Sequence, residues 1–412
     1  MRLILWAAMF AALSAFAPGP KPAPRLLIVG GTPGHLEPCG CTKPMSGGLA
    51  RRLTVLRALG GESTFVLDAG PVIAGPGRQS EMKIEALAEA MSGSSPWALA
   101  LGPAEAGLGE GALLGPQRLG QGGLTTLAIG EATDAAARIV RGNGFVVGSL
   151  APEPGRVAGP LGLQALGVGA QLEALRESAG TDIVVLAAPV SLDEARRIAT
   201  ANPWIRVLVY RSGGRPATSP EAVGSTLLVS PGDRGRYVLS LDLPPGGKPV
   251  VRAIELGEEV KDDDQARAVL RRYQQRVADE DLLREAPRSP SEKFAGSKAC
   301  LPCHANAAEV WEGSRHSAAL ATLEREGVDR DPDCVGCHVV GLESSEGFRD
   351  RVATPGLADV GCESCHGPGA AHAAEPLKAR LGKAGKASCM PCHDSDHSPK
   401  FDFDGYWRRV AH

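Results

Sequence analysis

The chain has 412 residues and a formal net charge of −3. That length allows two or three domains and at least one sizeable core, and the charge balance argues against a nucleic-acid binder, which is normally basic. Aromatics make up only 4% of the residues, and the ten cysteines fall unevenly, at Cys39 and Cys41 and then eight between Cys300 and Cys392.

After Met1-Arg2, an apolar run extends from Leu3 to Phe16, and Ala15-Phe16-Ala17 has the small-x-small form of a cleavage site. The run is too short to span a bilayer comfortably and reads as a secretory signal peptide over residues 1–17. Pro18, just beyond the cut, keeps an uncleaved anchor as the alternative. No later segment reaches 18 uninterrupted apolar residues, so no transmembrane segment is expected in the mature chain.

From Leu26 to about Leu256, short β-rich runs alternate with helical stretches. Predicted strands are "LLIV", "TFVLDAG", "FVVGSL", "DIVVLAAPV", "IRVLVY", "STLLVS" and "RYVLSLDL". Leu49 to Leu59, Glu81 to Met91 and Leu192 to Ala201 have helical spacing. The alternation predicts an α/β or layered domain over residues 25–256, with glycine-rich Gly102 to Gly123 as a long surface excursion. Glu258 to Glu285 lacks Pro and Gly and carries Val260, Ala266, Val269, Leu270, Tyr273 and Val277 near helical spacing, which predicts a helical connector within residues 257–292. Two prolines in Ala286 to Lys293 end it. Beyond Phe294 cysteine and histidine become frequent and long apolar runs vanish, so a second domain is expected over residues 293–412.

Four segments of that second domain repeat one pattern: "CLPCH" from Cys300, "CVGCH" from Cys334, "CESCH" from Cys362 and "CMPCH" from Cys389. C-x-x-C-H is the attachment signature of c-type haem. Two thiols one helical turn apart can each add to a vinyl group of one porphyrin, and the next residue sets its imidazole under the iron. The predicted thioether residues are Cys300, Cys303, Cys334, Cys337, Cys362, Cys365, Cys389 and Cys392, with His304, His338, His366 and His393 as proximal ligands. Paired C-x-x-C units also build structural zinc sites, but zinc gives no reason for a histidine after every pair in a chain with only nine. Four haems c in about 120 residues would themselves form the core, which accounts for the missing apolar runs, and attachment outside the cytoplasm agrees with export.

Five histidines remain for the distal sides: His35, His316, His372, His397 and His412. "ACLPCHANAAEVWEGSRHSAAL", "DCVGCHVVGL" and "DVGCESCHGPG" resemble the nitrifier-type tetrahaem cytochrome c family, whose best-known member carries electrons away from hydroxylamine oxidation. The resemblance spans about Phe294 to His412. It implies that His316, on the helix after the first motif, and His372, shortly after the third, ligate distal faces. The closest match to a third such ligand is His412, and the haem on His338 is implied to lack one. His397, four residues after a proximal histidine, is read as uncommitted.

The first domain is similar, in order along residues 25–245, to the 5′-nucleotidase-like metallophosphatase family: "LLIVGGTPGHLEPCGC", "GGLARR", "FVLDAG", "ALALGPAE", "TDIVVLAAPVSLDEARRIA" and "IRVLVYRSGG". The resemblance implies an α/β layered β-sandwich with flanking helices, preceding a mostly α-helical multihaem cytochrome c domain. Active members hold two metals that activate a water for attack on phosphorus. Here the D-x-H positions are Gly31-Thr32-Pro33, the G-D step is Gly70-Pro71, and G-N-H-E is Gly102-Pro103-Ala104-Glu105. The later S-H is Ala188-Pro189, and the G-H-x-H position falls at Arg211 to Gly214 without a histidine. Between Pro33 and Ala295 the one histidine is His35, too small a supply for a dinuclear site.

Around His35, the glycines alone are weak evidence for a phosphate loop. Cys39 and Cys41 leave open a metal site with His35, a redox pair, a strained disulfide or a plain buried turn. The expectation is an exported tetrahaem cytochrome, in the periplasm or on the outer surface of a bacterium, relaying electrons between redox proteins such as other cytochromes or a membrane quinol oxidoreductase. Its first domain would serve docking or assembly. The alternative is a haem-based reductase of a small nitrogen or oxygen species at the second haem.

Overall fold

The computed structural model describes residues 22–38, 45–117, 122–394, 397–398 and 400–412. The signal-peptide reading and Cys39 and Cys41 lie outside the described residues. Among the described residues twelve strands follow one another: β1 (Arg25–Val29), β2 (Thr64–Asp68), β3 (Trp97–Ala100), β4 (Gly122–Thr125), β5 (Val140–Gly142), β6 (Phe145–Ser149), β7 (Ile183–Ala187), β8 (Val207–Val209), β9 (Glu221–Val223), β10 (Thr226–Val229), β11 (Tyr237–Asp242) and β12 (Val250–Glu255). They form two six-stranded sheets, in the orders β12-β11-β1-β2-β3-β4 and β5-β6-β7-β8-β10-β9.

Alternation along each strand sorts its side chains between two cores, because successive residues point to opposite faces. Leu26 and Ile28 of β1 join Phe65, Leu67, Phe145, Val147, Val185 and Val207 between the sheets. Leu27 and Val29 face outward, against Leu53, Leu56, Met82, Leu87 and Val269 of a helical layer. The second sheet is covered in the same way, Leu186 and Leu208 packing on Leu175, Ala195 and Ile198. The result is a helix–sheet–sheet–helix sandwich. Each fully buried Leu, Ile or Phe contributes about 1.5–3 kcal/mol of transfer free energy, so the three strands β1, β2 and β6 anchor the fold.

Two stretches differ from the sequence expectation. The described part of Gly102 to Gly123 is more ordered than a surface excursion: it holds the helices Pro103–Ala106 and Glu110–Gln117, and Ala106 and Leu113 are fully buried. The apolar period there is too short and too broken by glycine to be read. The connector helix Asp264–Asp279 is capped by Asp263, whose carboxylate accepts from Ala266 N at 2.8 Å. It is not a free spacer. Val269, Leu270, Tyr273 and Val277 insert into the outer core of the first sheet, and ion pairs from Arg276 to Glu85 (2.6 Å) and from Arg272 to Glu89 fasten it to the helix Arg78–Met91.

Beyond residue 293 the chain forms short helices, among them Ser297–Cys300, Ala305–Glu312, Ala319–Glu326, Pro332–Val335, Cys362–His366, Ala370–Ala374, Lys386–Cys389 and Phe403–Trp407. Helices of four to eight residues do not hold themselves in water. Their apolar support is one small cluster around Val335, Val339, Val340, Phe348 and Leu357.

Candidate functional site

Each C-x-x-C-H segment begins on a short helix or at its end. His304 N donates to Cys300 O at 3.1 Å and His393 N to Cys389 O at 2.8 Å, so in both segments the histidine closes one turn on the first cysteine. In the second segment Asp331 caps the helix Pro332–Val335 by accepting from Asp333 N at 3.0 Å. None of the eight cysteines from Cys300 to Cys392 is in a disulfide. They are thus available for covalent attachment, two on each turn.

The histidines come together across long stretches of chain. His304 faces His372 with ring centroids 6.2 Å apart, His393 faces His316 at 6.1 Å, and His366 faces His412 at 5.9 Å. Two imidazoles bound to one metal from opposite sides have centroids about 6.3 Å apart, from metal–nitrogen bonds of about 2.0–2.1 Å plus the ring radius. Nδ1 is fixed in most of these rings: His366 to Gly382 O (2.9 Å), His372 to Ala379 O (2.8 Å), His412 to Val410 O (3.0 Å) and His393 to Ser398 Oγ (2.9 Å). A carbonyl only accepts, so in the first three Nδ1 carries the proton and Nε2 is left as the ligand nitrogen, the usual outer-sphere arrangement of metal-binding histidines. Burial holds His316 and His393 below the ordinary histidine range, which favours neutral imidazole. His316 itself is positioned by a short turn that Ser314 caps, with His316 O accepting from Val360 N at 3.1 Å. His338 donates from Nδ1 to Ala319 O at 2.8 Å; among the described residues no ring contact pairs it with a second histidine.

In the sandwich, the carboxyl ends of parallel strands from both sheets surround a cleft of about 380 Å³, the usual ligand position in such sheets. Gly31 and Pro33 after β1, Gly70 and Pro71 after β2, Ala188 and Pro189 after β7, and Arg211 to Gly213 after β8 all line it. Four of the five positions at which the sequence places the metallophosphatase ligands therefore converge on one cavity, Gly102 to Glu105 not lining it, and the occupants of those four carry no imidazole or carboxylate. Gly31 turns the chain out of β1 at φ 65°, a conformation that favours glycine. Asp68, at the end of β2, is engaged elsewhere: its carboxylate binds buried Arg52 at 3.0 Å and accepts from Gly70 N at 3.0 Å. Glu105 is fully buried and accepts from Val72 N at 2.8 Å and Gly102 N at 3.1 Å, so it pins two cleft loops together. Burial raises its carboxyl above the usual range despite these backbone donors.

Residues 299–367 match the family model for cytochrome c554 and c-prime. Cytochrome c-554 of Nitrosomonas europaea is 36% identical over 91 residues, which cover 18% of this chain and 39% of that protein. The C-terminal part carries a cytochrome c554-like domain. The chain thus spans about two-fifths of the length of the curated relative it matches. Solved structures similar to this chain include the sulfate thiohydrolase SoxB of Thermus thermophilus, at 17% identity and TM-score 0.49, covering 64% of this chain and 62% of that one. A 5′-nucleotidase precursor from the same organism has 18% identity and TM-score 0.47, over 74% and 67% of the two chains.

The family implies covalently bound haem c, and the cytochrome c554-like domain fits it: paired thiols on helical turns, each pair followed by an imidazole, three of these facing a second imidazole at the separation one iron requires. Neighbouring motifs also touch. Cys300 lies against Cys362, where burial and that neighbour push its thiol up to about 11. Ser388, beside Cys389, donates to Cys365 O at 3.0 Å, and Cys392 hydrogen-bonds Cys337. In space the motifs therefore run first, third, fourth, second.

Two buried carboxylates organise this domain, and neither stands out in the sequence. Glu363, inside the third motif, is 3% exposed and accepts from Ala295 N (2.8 Å), Gly296 N (2.7 Å) and Gly369 N (2.6 Å). It ties the first motif's helix to the third and to the turn before His372. Asp331 docks the second motif on the sandwich: Gln79 donates to it at 2.6 Å and Gln274 at 3.0 Å, while buried Lys83 pairs with Asp333. The mere presence of Asp before Pro was the available signal, as a helix cap; its second role depends on packing between the two domains.

Proposed function

We propose that the chain is an exported electron-transfer protein holding four haems c, in which the sandwich is a non-catalytic docking or positioning domain. The observation that carries this reading is the set of three histidine pairs, each joining one haem-motif imidazole to a remote one at 5.9–6.2 Å. Bound haem c supplies a one-electron iron couple whose potential follows axial ligation and burial. The residues supply the rest: eight thiols for attachment, seven imidazoles for the irons, backbone carbonyls that orient the rings, and contacts that set the sites in the order first, third, fourth, second. A row of adjacent one-electron sites is the framework of a relay, and redox proteins are its natural partners. The sandwich is read as silent because glycine, proline, alanine, arginine and serine stand at the cleft positions where the resemblance calls for metal ligands. The test is a pyridine haemochrome count on the purified holoprotein: about four covalent haems per chain are expected, and zinc in place of haem would refute the reading.

A second reading rests on His338, whose ring faces no second histidine among the described residues. A five-coordinate iron there would bind a small nitrogen or oxygen species and make the protein a reductase. Electron paramagnetic resonance separates the two: one high-spin haem among three low-spin ones favours the reductase, and four low-spin haems remove its site.

A further inference from the structure

The three pairs described above share a property that a fourth pair also has. His35, on the loop after β1, and His397, on the last segment of the cytochrome c554-like domain, have ring centroids 6.2 Å apart at an interplanar angle of 62°. Neither belongs to a C-x-x-C-H motif. We propose that His35 and His397 together hold an additional metal centre, bonded to one imidazole from each domain. The comparison of separations rests on the haem reading of the other three pairs; the site itself does not.

The His397 imidazole is set for this task. The Asp394 carboxylate meets His397 Nδ1 at 2.9 and 3.0 Å and also accepts from its backbone N at 2.7 Å. That fixes the proton on Nδ1, makes Nε2 a stronger donor and locks the ring, the carboxylate–histidine–metal arrangement. The His35 loop is pinned as well: Gly34 N donates to Val72 O at 2.9 Å and His35 N to Thr32 O at 3.3 Å. Around His35 stand Leu36, Leu49, Val72 and Leu87, and the two cations beside it are already paired, Arg52 with Asp68 and Lys83 with Asp333. A pair of imidazole ligands selects a borderline transition metal, such as copper, zinc or iron, over calcium or magnesium. The separation would suit one metal atom bonded to both rings, whether a bare ion or the iron of a haem. In either form the ligand chemistry is the same, and the centre sits beside the second motif, whose Cys337 lies within the field of His397.

The experiment uses the full-length holoprotein. Metal content per chain is measured beside a count of covalent haem, before and after incubation with copper, zinc or iron salts or with haemin, for wild type, His35→Gln, His397→Gln and Asp394→Asn. Wild type should carry about one equivalent of metal beyond its covalent haem irons. Either histidine variant should lose that equivalent while its covalent haem count stays unchanged, and Asp394→Asn should weaken it about 10–100-fold. Acid-extractable haem as the additional equivalent identifies a haem iron, and a non-haem metal identifies a bare ion. No stoichiometric metal beyond covalent haem in wild type, or its full retention in both histidine variants, overturns the proposal. A covalent count other than four refutes the haem reading independently.

Discussion

Replacing Glu363 by glutamine tests whether one carboxylate holds the first and third haem sites in register. The wild-type side chain accepts three backbone N–H bonds of 2.6–2.8 Å in a site closed to water. Bonds to a charged acceptor are worth roughly 1.5–3 kcal/mol and neutral ones roughly 0.5–1.5. Glutamine can keep its oxygen on Ala295 N and Gly369 N, but its NH₂ then faces Gly296 N–H, donor against donor. Weakening two bonds by about 0.5–1 kcal/mol each and stranding one buried donor at about 1–3 kcal/mol gives a loss of about 2–5 kcal/mol. The assay is guanidinium unfolding of the holoprotein followed in the Soret band, which reports on the cytochrome c554-like domain alone. Because Gly369 precedes the helix that bears His372, the variant should also perturb the haem on His304 before the others. A midpoint within about 1 kcal/mol of wild type, with unchanged haem spectra, would refute the reasoning.

Three further outcomes follow from the geometry. His372→Ala, His316→Ala and His412→Ala should each convert one low-spin haem to high spin, at the sites of His304, His393 and His366 respectively, as read by paramagnetic resonance; a variant that leaves the spectrum unchanged removes that pair. Asp331 is pushed above the ordinary carboxylate range by burial, with Asp333 adding to it, so its favourable contribution is full below about pH 4 and declines as pH rises through the raised value. Asp331→Asn keeps an acceptor for Gln79 and Asp333 N, so the stability difference between wild type and variant should shrink or reverse from pH 4 to 7 in parallel unfolding curves. With manganese added, the full chain should hydrolyse neither p-nitrophenyl phosphate nor AMP, and metal-dependent turnover would contradict the reading of the cleft.

Much of the architecture was legible because it is written in local patterns. All seven strands expected from β-rich runs are present, and Leu49–Leu59 and Leu192–Ala201 have the expected bounds. Strands β3, β4, β5, β9 and β12 were not read: "WALA" and "GGLT" carry little β-branched character, and the short edge strands β5 and β9 are partly exposed. In the candidate site, thiol and imidazole spacing is local and visible. Which histidine meets which is not, since the pairings cross most of the domain. The roles of Glu363, Asp331 and His397 depend on burial and on contact between remote segments, which a single sequence does not encode as a spacing.

The crossing of the histidine pairs bears on how this protein matures. Each pair closes a loop of roughly 45–80 residues, and a cross-link over such a span removes about 4 kcal/mol of chain entropy from the unfolded state. The three loops interlace, so iron ligation acts as a set of interlocking staples on a domain with very little apolar packing of its own. Ligands from later in the domain complete sites begun earlier, so the three pairs close in turn as His372, His393 and His412 become available. The apoprotein should therefore be a target for proteolysis rather than a stable intermediate, and the appearance of folded product should be all-or-none in haem supply.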